Sequence, residues 1–94
     1  MSVVLPSIHM NGTSKEALEK QYIKCWRAVN NAIETLQQNP PHCRDYYVQN
    51  TEDNLYEAYQ PAREQHNSWG DKLRVVKKEL EELILGIQAG GYKK

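Results

Sequence analysis

Phenylalanine is absent from this sequence, and neither sign of charge prevails. Twelve basic and twelve acidic residues give a formal net charge of zero. This balance argues against a general DNA- or RNA-binding protein, because such proteins need a basic face that displaces counterions. It is compatible with a small anionic ligand held by a few local groups. No run of about 18 apolar residues exists, so we expect no membrane-spanning segment.

Cysteine and histidine are scarce, and their spacing indicates neither a metal site nor a catalytic centre. Cys25 and Cys43 form no C-x-x-C motif, so we expect free thiols, with a disulfide between them as the alternative. His9, His42 and His66 have no metal-ligand spacing. The sequence contains no arguable Ser-His-Asp or Cys-His pairing. We therefore predict a protein that is not an enzyme and needs no cofactor.

The first predicted helix covers residues 13–38. Thr13 and Glu16 fit a capping box, and apolar residues then recur at steps of four and three. Asn39-Pro40-Pro41 ends the helix, since proline lacks the amide hydrogen that a helix interior needs. The apolar stripe consists of Leu18, Tyr22, Cys25, Val29, Ala32 and Leu36. Three more apolar residues either widen this stripe or form a second apolar face: Ile23, Trp26 and Ile33.

The second predicted helix covers residues 52–89. Thr51 caps it, and Pro61 either kinks the helix or starts it afresh. Gly90 and Gly91 end it. Its apolar residues follow the heptad spacing of a coiled-coil-like seam. The seam consists of Trp69, Leu73, Val76, Leu80, Leu83 and Ile87.

These elements predict a single all-α domain, in which two long antiparallel helices joined by a loop at 39–51 assemble into a helical-bundle oligomer. Two helices alone make a thin core, so pairing of hairpins from different subunits would cover the remaining apolar surface. Residues 1–12 form an N-terminal arm and loop, whose apolar segment 1–8 either packs against a partner subunit or frays. Residues 90–94 form a short tail.

The polar loop before the first helix is the first candidate site. Asn11 and Gly12 supply a turn, and Thr13 and Ser14 place hydroxyl groups beside the amides of a helix N-terminus. Such amides, together with the positive end of the helix dipole, suit a phosphate or a carboxylate. His9 lies just upstream. The alternative is an ordinary capped helix start that binds nothing.

The loop between the helices is the second candidate site. Tyr46 and Tyr47 can stack on a nucleobase, and Arg44 can neutralise a phosphate. A simple hairpin places this loop and the loop at 9–15 at opposite ends, so one site built from both needs a fold-back or a neighbouring subunit. Alternatively, the tyrosines only cover the end of the hairpin. His66, on the second helix, is either a pocket residue or a hydrogen-bonded structural residue.

The chain resembles a family of short phage-encoded proteins that share an I-H-x-N-G-T-S start and an R-D-Y-Y loop. The matching residues are Ile8-His9-Met10-Asn11-Gly12-Thr13-Ser14 before the first helix, Arg44-Asp45-Tyr46-Tyr47 after it, and His66 on the second helix. In size and helical make-up the chain is also similar to small phage anti-defence "sponge" proteins. Those proteins oligomerise and sequester the cyclic nucleotide signals of bacterial immune systems such as CBASS and Thoeris.

The resemblance implies a homo-oligomer in the cytoplasm of the infected bacterial host. Its ligand would be a cyclic oligonucleotide or a cyclic ADP-ribose isomer, bound between subunits without turnover, and it would bind no DNA, RNA or membrane. The implied phosphate and ribose contacts are His9, Asn11, Gly12, Thr13 and Ser14. The implied base, charge and pocket contacts are Tyr46, Tyr47, Arg44 and His66. The alternatives are a phage structural or host-protein-binding protein that acts through the seam, and an enzyme that degrades the signal.

Overall fold

The computed structural model describes residues 3–46, 48 and 57–93. It contains helix α1 at Lys15–Gln38, a short 3₁₀ helix at Cys43–Asp45 and helix α2 at Tyr59–Gln88. Within the described ranges there is no strand, only one isolated antiparallel bridge. The expectation of an all-α fold with two long helices is therefore confirmed.

Helix α1 starts later than the sequence pattern predicts. Its N-cap is Ser14, whose hydroxyl oxygen accepts a hydrogen bond from the Ala17 amide at 3.2 Å. Thr13 as the cap of a capping box with Glu16 is therefore wrong. Ser14 has the extended conformation that a cap requires, with φ −64° and ψ 155°, so the first helical residue is Lys15. The predicted end at residue 38 is confirmed.

The described part of the second helix begins at Tyr59 rather than at residue 52. Pro61 is its third residue. A proline is tolerated there because the amides of a first helical turn have no intrahelical acceptor. Of the two roles expected for Pro61, its position corresponds to a helix start. The predicted cap Thr51 and the predicted helical segment 52–56 lie outside the described residues.

The N-terminal arm packs on the C-terminal end of α2 in the same chain. Gly90 and Gly91 have positive φ angles of 110° and 76°, and the Gly91 amide donates to the Gly86 carbonyl at 2.8 Å, as in a Schellman motif. The Tyr92 amide then donates to the Pro6 carbonyl oxygen at 2.8 Å, and Ser7 forms a bridge with Gly91. The expected frayed end is therefore wrong for residues 3–8, which dock on their own chain, and contact with a partner subunit stays a prediction.

The arm is held by its own chain because the Schellman turn points backbone donors outward, where the arm supplies an acceptor. The Leu5 side chain also lies against Gly86, in space that any larger residue at 86 would occupy. Gly86 and Gly91 have no side chain, so the arm can approach the end of α2 closely.

Three polar contacts fix the antiparallel register of the hairpin. The His66 Nε2 atom donates to the Leu36 carbonyl oxygen at 2.8 Å. The Lys77 ammonium donates to Asn30 Oδ1 at 2.8 Å. The Trp26 indole donates to Glu81 Oε1 at 3.0 Å, and the Lys77 ammonium also lies 5.2 Å from the Trp26 ring centroid. From Trp26 to Leu36 the residue numbers rise along α1, while those of the contact partners on α2 fall from Glu81 to His66, as in an antiparallel pair.

The hairpin is long and thin. Its extents are 67 × 22 × 16 Å, and its radius of gyration is 20.0 Å. A compact domain of this length has a radius of gyration of about 12 Å. Among the described residues, the buried apolar side chains are Leu18, Ile33 and Ile87. A two-helix layer of this kind leaves much of its apolar surface in contact with water.

Over the middle of the hairpin the helices do not meet along the predicted stripes, although the stripe residues Leu18 and Ile87 are buried at its arm end. The residues between them follow the stripe residues by one position: Trp26 and Ile33 on α1, Gly70 and Lys77 on α2. The predicted stripe residues Cys25 and Ala32 are consequently exposed, as are Trp69 and Val76, with 46% and 43% of their surface accessible. The second apolar face of α1, around Trp26 and Ile33, is the one that packs on α2.

Candidate functional site

The two predicted candidate loops lie at opposite ends of the hairpin. Residues 9–14 precede α1 and residues 42–46 follow it. The 24 residues of α1 span about 36 Å, at about 1.5 Å per residue. One ligand of nucleotide size cannot reach both loops of the same chain. The described loop residues Pro41 and Tyr46 lie beside the first turns of α2.

The N-terminal candidate loop is a compact, exposed turn. The Gly12 amide donates to the His9 carbonyl oxygen at 3.1 Å, and the His9 ring lies over Gly12. The side chains of His9, Asn11 and Thr13 are all exposed. The Ser14 hydroxyl is already occupied by the Ala17 amide. The loop therefore offers an accessible imidazole and polar groups, but no enclosed pocket.

The inter-helix candidate loop is organised around a histidine cap. The His42 Nδ1 atom accepts a hydrogen bond from the Arg44 amide at 3.1 Å, which starts the 3₁₀ helix. The Arg44 side chain is exposed, and its charge is accessible to a ligand. The Tyr46 ring is half-buried and lies 6.5 Å from the Tyr59 ring at an angle of 52°. Tyr47 lies outside the described residues.

His66 has a structural partner. Its Nε2 donates to the Leu36 carbonyl oxygen, which also accepts from the Asn39 amide at 3.2 Å. The imidazole thus binds one of the last carbonyls of α1 and carries a proton on Nε2. This hydrogen bond supports the interpretation of His66 as a structural residue. The imidazole ring also lines two clefts, one on each side of the hydrogen bond.

The structure brings Tyr46 and His66 together in one cleft of about 230 Å³. The cleft is open to solvent at the loop end of the hairpin. Its lining is completed by Asn39, Pro41, Ala62, Gln65 and Trp69. Sequence reasoning missed Trp69 as a site residue, because its heptad position assigned it to the seam. Its spacing of three residues from His66 on one helix was the available signal.

A second cleft, of about 330 Å³, lies on the other side of His66. It is lined by Ile33 and Gly70 at its base and by Asp71 and Arg74 at its rim. The Arg74 guanidinium donates to Asp71 Oδ1 at 3.3 Å, and both side chains are exposed. This ion pair neutralises the one cation nearest the cleft, so the cleft with Tyr46 is the better candidate for an aromatic ligand.

The two cysteines are free thiols, as expected. Across the described residues, no three histidine, cysteine or acidic side chains lie close enough together to hold a metal ion. Neither α1 nor α2 has the length and apolar character of a membrane-spanning helix. No protein-family model matches the chain, and no curated protein or solved structure shows a significant match to it.

Proposed function

We propose that this is a phage anti-defence protein that binds and sequesters a small cyclic nucleotide signal without turnover, in pockets that two subunits complete. The observation that supports the proposal most directly is the cleft in which Tyr46, His66 and Trp69 line one surface. Aromatic and imidazole rings at the mouth of a cleft suit a nucleobase, because stacking needs a flat apolar surface and tolerates any base.

Polar groups around the cleft suit the remaining parts of such a ligand. Asn39 and Gln65 have amide groups that can bond a base edge or a ribose hydroxyl. Arg44 carries an exposed positive charge on the same loop. A single subunit supplies few donors for phosphates at this end. The donors of His9, Asn11, Gly12, Thr13 and Ser14 would therefore come from a neighbouring subunit.

Calorimetry with a panel of cyclic di- and trinucleotides and cyclic ADP-ribose isomers tests the proposal. We expect heat of binding with at least one of them at protein concentrations above micromolar. Tyr46→Ala should weaken that binding about 5- to 150-fold, the range for loss of one base–aromatic stack. Val75→Ala, at an exposed residue in the middle of α2 and away from both ends of the hairpin, is the control. No heat with any ligand of the panel would refute the proposal.

Turnover is tested with the same complex. Sequestration predicts that the ligand released by boiling is chemically identical to the ligand added. A cleaved ligand would instead indicate an enzyme that degrades the signal.

A second candidate function is a structural or host-protein-binding role through the seam. The exposure of Trp69 and Val76 on one stripe favours it, because solvent-exposed apolar stripes of this kind often bind protein. It predicts a specific protein partner in infected cells, with no effect of replacing Asn11 or Thr13.

A further inference from the structure

The stripes of α1 and α2 lie on the same side of the hairpin. In the middle of each helix, from Trp26 to Ile33 and from Gly70 to Glu81, the residues that face the other helix follow the stripe residues by one position. At the arm end, the stripe residues Leu18 and Ile87 are themselves buried. Because the helices have the same hand and run in opposite directions, this shared offset turns both stripes toward one side. The hydrogen bonds from Lys77 to Asn30 and from Trp26 to Glu81 join the two helices along the residues that face each other.

We define the open face by the stripe residues that this arrangement leaves partly or fully exposed. It consists of Tyr22, Cys25, Val29 and Ala32 of α1 and Trp69, Leu73, Val76, Leu80 and Leu83 of α2.

The chain as a whole exposes more surface than a compact monomer of its mass. It exposes 7265 Å², whereas a compact folded monomer of 10.9 kDa exposes about 5,600 Å². A stable protein–protein interface buries about 800 Å² on each partner. The excess over the whole elongated chain thus exceeds the area that one partner buries in a standard interface.

Both stripes are symmetric about one level of the hairpin. On α2, Trp69 and Leu83 lie seven residues to either side of Val76. On α1, Tyr22 and Leu36 lie seven residues to either side of Val29. These two valines are adjacent in sequence to Asn30 and Lys77, whose side chains bond across the hairpin, so they stand at the same height. A two-fold axis at that height matches each stripe with itself in reverse.

The charges beside the open face match an antiparallel copy. Lys72 and Glu79 are both exposed and occupy the heptad positions that flank the seam on the side away from α1. They lie at nearly equal distances from Val76. An antiparallel copy would place Lys72 beside Glu79 of the second copy, twice per dimer. A parallel copy, related by a two-fold axis along the helices, would instead place α2 beside α1 of the second copy, so Lys72 and Glu79 would not meet across the interface.

We infer that a second copy of this chain covers the open face, running antiparallel, with the two-fold axis at the level of Val29 and Val76. The product is a four-helix bundle in which α1 packs on α1 and α2 on α2. The functional role of this dimer rests on the proposed function, because the dimer interface is the one that would complete the nucleotide pocket.

The same register carries the N-terminal loop of one copy to the candidate cleft of the other. Lys15 lies fourteen residues before Val29, about 21 Å along the helix. The two-fold axis places it the same distance beyond Val29 of the other copy, at the height of Ala62, which lies fourteen residues before Val76 and lines the cleft. The loops that are far apart in one chain thus meet across the interface, once at each end of the bundle.

Oligomeric state in solution tests the arrangement directly. We expect light scattering and sedimentation equilibrium to give twice 10.9 kDa for the full chain without ligand. Val76→Glu should raise the dimer Kd at least about 100-fold, because it places two carboxylates at the axis in an apolar interface. Leu85→Glu is the matched control, since Leu85 is 64% exposed and lies nine residues, about 180°, from Val76 around α2. A monomeric wild-type chain, or equal loss in both variants, would overturn the inference.

Charge reversal tests the register with variants that leave the core unchanged. Lys72→Glu and Glu79→Lys should each raise the dimer Kd about 2- to 30-fold, because each pair is exposed and occurs twice. The double reversal should restore the wild-type Kd within about threefold, since it exchanges the partners of each pair. A double variant as weak as the single ones would overturn the antiparallel register.

Cys25 gives an independent readout of the covered face. With Cys43→Ser, the only thiol left in the chain is Cys25, which is exposed in the single chain and lies on the open face. Its reaction with a thiol reagent should slow as the protein concentration passes the dimer Kd. A rate independent of concentration in a dimeric sample would place the interface elsewhere. A dimer without nucleotide binding would refute the proposed function alone, and a monomer that binds nucleotide would refute this inference alone.

Discussion

The His66 Nε2 atom lies 2.8 Å from the carbonyl oxygen of Leu36 and donates a hydrogen bond to it. This contact joins the last turn of α1 to the second turn of α2. Helix C-terminal carbonyls have no partner within their own helix, so a side chain from the other helix satisfies one of them. The same imidazole lines the cleft with Tyr46. Stability of the hairpin end and the shape of the candidate site therefore depend on one side chain.

Replacing His66 should separate these two roles. His66→Ala should lower the free energy of unfolding by about 1–2 kcal/mol, through loss of the hydrogen bond and of partly buried surface. The Asn39 amide still donates to the Leu36 carbonyl, which keeps the loss small. Urea unfolding at one fixed protein concentration measures it, because an oligomer's stability depends on concentration.

His66→Gln provides the control for this measurement. Its amide can still donate to the Leu36 carbonyl, so we expect it to regain a good part of the stability. A glutamine variant as unstable as the alanine variant would show that ring packing, rather than the hydrogen bond, holds this end of the hairpin.

The cap of α1 predicts a second difference between neighbouring residues. Ser14→Ala should cost about 1 kcal/mol of unfolding free energy, because the Ala17 amide loses its acceptor. Thr13→Ala should cost no more than a few tenths, since Thr13 is exposed and precedes the cap. Thermal unfolding of the two variants side by side measures this. Equal losses would restore Thr13 to the role that the sequence pattern gave it.

The helices themselves were predictable because their signals are local. Proline at 40 and 41 and glycine at 90 and 91 act on their own backbone, so the ends of both helices follow from the sequence. The start of α1 was harder, since Thr13 and Ser14 are adjacent and both can cap. The side-chain hydrogen bond of Ser14 decides between them.

The packing face was not predictable from periodicity. A heptad pattern identifies the residues that share a stripe, but it does not say which flank of the stripe meets the other helix in the same chain. Here cross-hairpin polar contacts mark the flank that packs, since Trp26 donates to Glu81 and Lys77 donates to Asn30. Trp69 was assigned to the seam for the same reason, so its place in the cleft was missed. The hydrogen bond that docks the arm joins two backbone groups, so no periodic pattern of side chains in the sequence predicts it.

Gly91, in the turn after α2, and Gly70, within α2, differ in what a methyl group would meet. Gly91 has φ +76°, and a Cβ there would lie against the Pro6 carbonyl oxygen. Gly91→Ala should therefore destabilise the protein by at least about 1 kcal/mol. Gly70 lies in the middle of the helix, where a Cβ would meet only the flexible end of Arg74. Gly70→Ala should leave stability unchanged or raise it by up to about 1 kcal/mol.

Urea unfolding of the two alanine variants gives this comparison. If Gly91→Ala proved neutral, the close contact between the arm and the Schellman turn would not exist in solution. If Gly70→Ala proved strongly destabilising, the space beside Arg74 would be filled by a less mobile group.

The docked arm should respond differently to changes at two adjacent residues. Leu5 packs on Gly86, whereas Val4 is 89% exposed. Leu5→Ala removes part of that contact and should cost the docked arm about 1.4 kcal/mol, a fraction of the loss at a fully buried leucine. The Tyr92 amide, which donates to the Pro6 carbonyl, should then exchange its hydrogen about tenfold faster.

Hydrogen exchange measured by NMR at the Tyr92 amide reports this opening directly. Val4→Ala is the matched control, and it should leave the exchange rate unchanged because its side chain contacts mainly solvent. The amides in the middle of α2 should exchange at the wild-type rate in both variants, since the arm covers only the end of that helix. Faster exchange throughout α2 would mean that Leu5 supports the whole hairpin, and equal effects of both variants would mean that the arm is not docked through Leu5.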